Sequence, residues 1–326
     1  MAEKNPKCRC QNRDCHRMHS NAIVQLAGVL ILGALLQAEA KTVKVLAVGN
    51  SFSADALTYL GSIAQASGHT LVAANAMIGG CDFERHLRHA DAHEADPAAT
   101  EGRPYANQKS LRDLLAQEQW DVVTIQQASP KSFKPETFQP HADRLIEYIR
   151  RYAPQAEVVI HQTWAYRDDH PFWGLQELNP DVMYKGLRAA YDGLAQAKGL
   201  RQIPCGDALE WARRDPAWGR FVPDPGFDPK AAVYPQLPQN EKRALHVGYT
   251  WRKDPKTGAH TLGKDAIHAN ARGDYLLGCV WFEFLFGESV LGNPFAPKGV
   301  EAADLAVLQR VAHAVVSDRQ RPQPIP

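Results

Sequence analysis

Short apolar runs rich in β-branched residues recur at Val43–Val48, Thr70–Ala74, Asp121–Ile125, Glu157–His161 and Leu200–Cys205, and amphipathic stretches separate most of them. Strands alternating with helical patterns predict βαβ units and a parallel sheet covered on both faces. The helical periodicity predicts helices over Ala54–Ala66, Gln108–Gln117, Glu136–Tyr152, Val182–Lys198, Asp207–Arg213, Arg272–Phe286 and Ala302–Val316. In the fourth of these, Met183, Leu187, Ala190, Tyr191 and Leu194 fall at steps of three and four, which gives one apolar face. From Asp215 to Gly263 the pattern breaks down into Pro, Gly, Trp and charged residues, including "PDPGFDPK" and "KDPKTGAH". A long irregular insertion of this kind in a compact domain is usually functional or mobile. Its second half, "ALHVGYTWRKDPKTGAHTLG", alternates on either side of a Lys-Thr-Gly turn and reads as a hairpin.

The first 40 residues stand apart from this pattern. Lys4, Lys7, Arg9, Arg13 and Arg17 precede an almost wholly apolar run from Ala22 to Leu36, which closes on Ala38-Glu39-Ala40. A positive region, a short apolar run and a small-x-small site describe a secretory signal peptide cleaved after Ala40. An uncleaved anchor is the rival, but a spanning helix wants about 20 apolar residues and Gln25 interrupts this shorter run. The expectation is an exported protein, periplasmic or extracellular, with a single domain over residues 41–316, a disordered tail at 317–326 and no stable membrane association after cleavage. Cys8, Cys10, Cys15, His16 and His19 lack the paired C-x2-C spacing of structural zinc folds and precede the cleavage site, so no metal is expected there.

The 37 Lys and Arg nearly balance the 36 Asp and Glu, and residues 41–326 remain near neutral. Neither nucleic acid nor an anionic membrane surface is implied as a partner. Only Cys81, Cys205 and Cys279 follow the leader, an odd number that permits at most one disulfide.

Candidate chemistry lies where the first strand ends, in "VKVLAVGNSFSADAL". Ligands of open parallel sheets gather outside the carboxyl ends of the strands, where helix N-termini present free amides. Ser51 occupies such a place, and an exposed hydroxyl beside unpaired amides suits a nucleophile whose own N–H helps bind an oxyanion. The alternative is that Ser51 or Ser53 caps the following helix. A serine nucleophile needs a base, and "GKDAIHANARGDYLLGCVWFEFLFG" supplies Asp265 three residues before His268. That spacing lets one short loop present a carboxylate that orients an imidazole toward the serine proton.

These blocks resemble the SGNH, or GDSL-like, hydrolases, and within them a bacterial branch classed as a domain of unknown function. "VGNSFSADAL" is similar to the nucleophile block, with Asn50 where many members carry aspartate, and "IGGCDFERH" to the glycine block. "DAIHANARGDYLLGCVWFEFLFG" is similar to the closing block, while "WDVVTIQQAS" stands where many members have Gly-x-Asn-Asp. The resemblance implies a three-layer αβα, flavodoxin-like fold with a five-stranded, mostly parallel sheet. It also implies an esterase reaction through Ser51, His268 and Asp265, with no metal or organic cofactor. The oxyanion would be held by the amides of Ser51 and Gly80 and, in place of the usual asparagine, by the side-chain amide of Gln126, with Gln127 and Ser129 behind it. The alternative for the glutamines is hydrogen bonding to loop backbone.

Further contacts to a small-molecule or saccharide ester are expected from Trp164 and Tyr166, which could form a flat wall for a sugar ring, and from His246, Tyr249 and Arg252 if the hairpin folds over the site. Sealing the sheet edge and bracing the catalytic loop are the respective alternatives. His161, at the end of the fourth strand, is read as satisfied by neighbouring backbone in preference to a substrate role. His86, His89 and His93 are read as part of a solvated charged face. The reading is an exported serine esterase acting on a small O-acyl group, preferably on a carbohydrate. A lipid-ester or thioester hydrolase and a non-catalytic carbohydrate-binding protein are its rivals.

Overall fold

A computed structural model describes residues 39–174 and 177–320 of the chain. The expectations for the signal peptide and for the cysteines and histidines within it fall almost entirely on residues 1–38, outside this range. Strand β1 (Thr42–Gly49) leads into helices α1 (Ser51–Leu57) and α2 (Leu60–Ala66), then β2 (Thr70–Met77), α3 (Phe83–Ala95), α4 (Leu111–Ala116) and β3 (Val122–Ile125). The chain continues through α5 (His141–Tyr152), β4 (Glu157–His161), α6 (Pro180–Lys198), β5 (Gln202–Ile203) and α7 (Cys205–Arg214). After an irregular stretch come the hairpin strands β6 (His246–Lys253) and β7 (His260–Ala269), then α8 (Ala271–Phe286) and α9 (Ala302–Gln320).

The five strands β1 to β5 form one sheet in the order β2-β1-β3-β4-β5, and every neighbouring pair is parallel. This is the flavodoxin-like order, with its switch point between β1 and β3. Val45 to Val48 of the interior strand β1 are all buried, as a strand covered on both faces requires. Helices α3, α4 and α5 pack on one another as one group, and α1, α2, α7, α8 and α9 as another. Helix α8 is apolar nearly all round, so it sits inside its layer with α9 laid over it.

Several elements differ from the periodicity. The helix expected over Ala54–Ala66 is two short helices, broken at Thr58 and Tyr59. Cys205 starts α7 instead of ending a strand, and β5 is reduced to two residues. Helix α3 was not among the expected elements, because its apolar positions are few and two of its five buried residues are histidine. His86 and His93 are buried, which corrects the solvated-face reading. Helix α9 continues past Val316 to Gln320, held by Arg319 against Asp192 and Asp207, so the start of the expected tail is helical. The hairpin is present with its turn at Asp254–Ala259, as the alternation predicts. Cys81, Cys205 and Cys279 are all free and buried. Among the described residues no helix is long and apolar enough to cross a membrane, and no cluster of three metal-ligating side chains occurs.

Candidate active site at the carboxyl end of the first strand

Ser51 is the first residue of α1, and the cap is Asn50, whose Oδ1 accepts from the Phe52 amide. Ser53 is buried, and its hydroxyl donates to the carbonyl of Asn50 at 2.7 Å. Neither serine caps the helix, and the Ser51 hydroxyl is free to turn toward the other end of the chain. There, His268 Nδ1 lies 2.8 Å from Asp265 Oδ2, and His268 Nε2 lies 2.7 Å from Ser51 Oγ. With Nδ1–H donating to the carboxylate, Nε2 is left to accept the serine proton. The other carboxylate oxygen of Asp265 accepts from the amides of Ile267 and His268. Burial opposes the charge on Asp265, but these amides and the imidazole hold its carboxyl below the ordinary carboxylate range.

Asp265 and His268 stand at the end of β7 rather than in a separate loop, so the hairpin itself carries them. Its end is pinned by the segment after β4: Arg167 N donates to Ala266 O and Trp164 Nε1 to Ile267 O. Trp164 also stacks on Phe52 with ring centroids 3.9 Å apart, and it is fully buried. It is a floor beneath the site and not a sugar wall. Tyr166 is buried as well, at 2 % exposure, with its hydroxyl donating to Ser129 Oγ. His246 is buried, contacts the carbonyl of Ala165, and is driven by burial to a pKa of about 4. It braces the hairpin and is not placed to meet a substrate.

Gln126 departs from its expected role. It is 1 % exposed; its Nε2 donates to Asn50 Oδ1 and its Oε1 faces His161 Nδ1 at 2.7 Å. A Cβ on Gly49 would fall 2.7 Å from its Cδ, so Gln126 lies packed against the strand end and not in the cavity. Gln127 is equally buried and is spent on the amides of Phe83 and Ala128 and on the carbonyl of Thr137. The hydrogen bonding within loops that was the alternative for the glutamines accounts for Gln127. Gln126 does something else. Asn50, 2 % exposed, donates from Nδ2 to Cys81 O, so one chain of bonds runs from the glycine block through Asn50 and Gln126 to His161. His161 is neutral, its pKa driven by burial to about 3, and its partner is this side chain rather than backbone.

A cavity of about 390 Å³ opens beside Ser51, lined by Asn50, Ser51, Phe52, Gly79, Gly80, Ser129, Ile267 and His268. Gly80 has φ +60°, a conformation in which a side chain would be strained, and its amide has no acceptor among the described residues. A larger cleft of about 690 Å³ lies along β5 and α6, away from Ser51, and its Arg188, Arg201 and Arg319 are all engaged with carboxylates.

Three buried or half-buried groups near the site carry little signal of that placement in the sequence pattern. His86 Nε2 reaches Gly49 O at 3.1 Å and fixes the strand end from α3. Asp55 Oδ2 accepts from Ala269 N, the residue after His268, and burial raises its pKa to about 6. Burial and the nearby Asp55 raise Asp274 to about 8. The available signals were an acid four residues after Ser51 and an acid in the first turn of a mostly apolar helix.

The family model for DUF4886, a domain of unknown function, matches residues 44–215, more than half of the chain, and stops short of Asp265 and His268. A DUF4886 family protein from Bacteroides uniformis is 27% identical with a TM-score of 0.64, covering 86% of this chain and 97% of its own. A protein assigned to the SGNH hydrolases from Slackia heliotrinireducens is 16% identical with a TM-score of 0.44, covering 74% of this chain and 98% of its own. The periplasmic domain of a lipopolysaccharide acetyltransferase from Salmonella serovar Paratyphi A is 10% identical with a TM-score of 0.40, covering 75% and 82%. No curated protein matches the sequence. The chain belongs to the DUF4886 family, a domain of unknown function.

Proposed function

We propose that this protein is an exported serine esterase that hydrolyses a small ester, with a short O-acyl group such as acetyl on a carbohydrate as its preferred substrate. The observation that carries the reading is the unbroken contact from Ser51 Oγ to His268 Nε2 and from His268 Nδ1 to Asp265 Oδ2, at the mouth of a cavity. In the proposed reaction Ser51 Oγ attacks the acyl carbonyl as its proton passes to His268 Nε2. The carbonyl electrons move to oxygen, facing the amides of Ser51 and Gly80, and return as the alcohol leaves with the proton from His268. Water repeats the sequence on the acyl-enzyme. Asp265 stabilises the imidazolium and keeps the tautomer.

The cavity of about 390 Å³ sits at the small end of the roughly 300–1,000 Å³ spanned by ligand pockets, which favours a short acyl group. Preference for a carbohydrate alcohol draws on the export signature and no longer on Trp164 and Tyr166, whose rings are covered. The test is hydrolysis of p-nitrophenyl acetate and of acetylated oligosaccharides by the wild type, Ser51→Ala and His268→Ala. The reading expects turnover that falls by several orders of magnitude in both variants. Wild-type rates equal to those of the variants on every ester would end it. A preference for long-chain esters over acetyl would move the substrate to lipids.

A further inference from the structure

With both ends of the Gln126 amide engaged below the cavity, Ser129 is the side-chain hydroxyl other than Ser51 on the cavity wall. Its position is fixed from two directions. Its carbonyl accepts from the amide and hydroxyl of Ser132, and Lys131 N donates to Ala128 O, closing a tight turn around Pro130. Its Oγ accepts from the hydroxyl of Tyr166 at 3.0 Å, and the Tyr166 ring is buried. A serine hydroxyl carries one proton and two lone pairs. Tyr166 occupies a lone pair, and no acceptor for the Ser129 proton is present among the described residues, so what remains to face the cavity includes a free donor.

We propose that the Ser129 hydroxyl donates a hydrogen bond to the oxyanion formed on the acyl carbonyl, as a third donor beside the amides of Ser51 and Gly80, and that Tyr166 is the positioning residue that holds it there. This rests on the esterase reading. The hydroxyl keeps its proton throughout: the Ser51 Oγ–C bond forms, the carbonyl pair moves to oxygen, the serine proton goes to His268, and Ser129 only stabilises the charge that develops. The departure of "WDVVTIQQAS" from the Gly-x-Asn-Asp pattern is then a replacement of an amide donor by a hydroxyl three residues after Gln126. Because Tyr166 donates into Ser129 Oγ, it polarises the outgoing O–H bond in the direction that strengthens donation to an anion.

The experiment measures kcat and KM on p-nitrophenyl acetate, with inhibition by a boronic acid that forms a tetrahedral adduct at the nucleophile, for wild type, Ser51→Ala, Ser129→Ala, Ser129→Thr and Tyr166→Phe. Ser129→Ala should lower kcat by about 10² to 10³, the usual effect of losing one oxyanion donor, and weaken boronate inhibition in parallel while KM moves little. Ser129→Thr, which keeps the hydroxyl, should restore most of the rate. Tyr166→Phe should lower kcat by about 10-fold, since a hydroxyl without its anchor still donates part of the time. If Ser129→Ala does not fold, Ser129→Cys keeps the volume, removes the strong donor and must show the same loss of kcat. Ser51-dependent turnover that Ser129→Ala leaves intact, or changes only in KM, overturns this assignment and leaves the esterase reading standing. Absence of Ser51-dependent turnover in the wild type overturns both.

Discussion

Replacing Asn50 by aspartate should damage this protein in a pH-dependent way. Asn50 accepts at Oδ1 from Phe52 N and Gln126 Nε2, and donates at Nδ2 to Cys81 O 2.9 Å away, all at 2 % exposure. An ionised carboxylate can make the first two bonds but opposes the Cys81 carbonyl with another acceptor. A protonated carboxyl can make all three. The Asn50→Asp variant therefore folds best with the new carboxyl neutral, so its folded pKa lies above the unfolded value of about 3.9. A raised acid pKa means that the folded state binds more protons than the unfolded one above pH 4, and stability falls as pH rises. The slope is about 1.4 kcal/mol per pH unit until the folded pKa is reached, so the penalty grows from near zero at pH 4 to about 4 kcal/mol at pH 7 if the carboxyl is still neutral there. At about 2 °C per kcal/mol for a domain of this size, the Tm difference from wild type should reach about 8 °C at pH 7 and nearly vanish at pH 4. Thermal melts of both proteins from pH 4 to 8 measure it. A Tm difference that is the same at every pH, or absent at pH 7, would show that Asn50 is not a donor to Cys81 O.

Gly49→Ala would drive a Cβ to within 2.7 Å of the buried Gln126 side chain, and should cost about 1–3 kcal/mol in denaturant unfolding and lower kcat, because Ser51 is two residues away. Asp265→Asn keeps an oxygen for the amides of Ile267 and His268 but turns an amide toward His268 Nδ1, so kcat should fall by about 10⁴ with Tm little changed. Asp274 has a folded pKa raised to about 8 by burial and Asp55, so its contribution to stability is complete below about pH 4 and is lost as pH rises through 8. Asp274→Asn should accordingly raise Tm by several degrees at pH 8 and leave it unchanged at pH 4; equal shifts at both would refute the shared burial of the two acids.

The parallel sheet was legible because its strands are short β-branched runs, and the hairpin because alternation marks it on both sides of its turn. Ser51 stood out through strand-end placement, and Asp265 and His268 through their spacing and their place before an apolar helix. The third block misled, because an amide at a strand end reads alike whether it faces a cavity or packs under the backbone. Gln126 does the latter because Gly49 leaves it room, a fact of three dimensions. Trp164, Tyr166 and His246 read as substrate contacts or as packing, since aromatic and histidine side chains serve both roles; which role wins depends on what covers them, and here that is Phe52, Ser129 and Ala165. Helix α3 was missed because His86 and His93 count as polar in a periodicity yet are buried, His86 with both ring nitrogens hydrogen-bonded.

Labelling by a fluorophosphonate, read by intact mass and peptide mapping, tests whether Ser51 is an activated nucleophile. One adduct per chain is expected, on Ser51, absent from Ser51→Ala and strongly slowed in His268→Ala. A wild-type protein that stays unlabelled, or one that carries its adduct on another residue, would contradict that assignment.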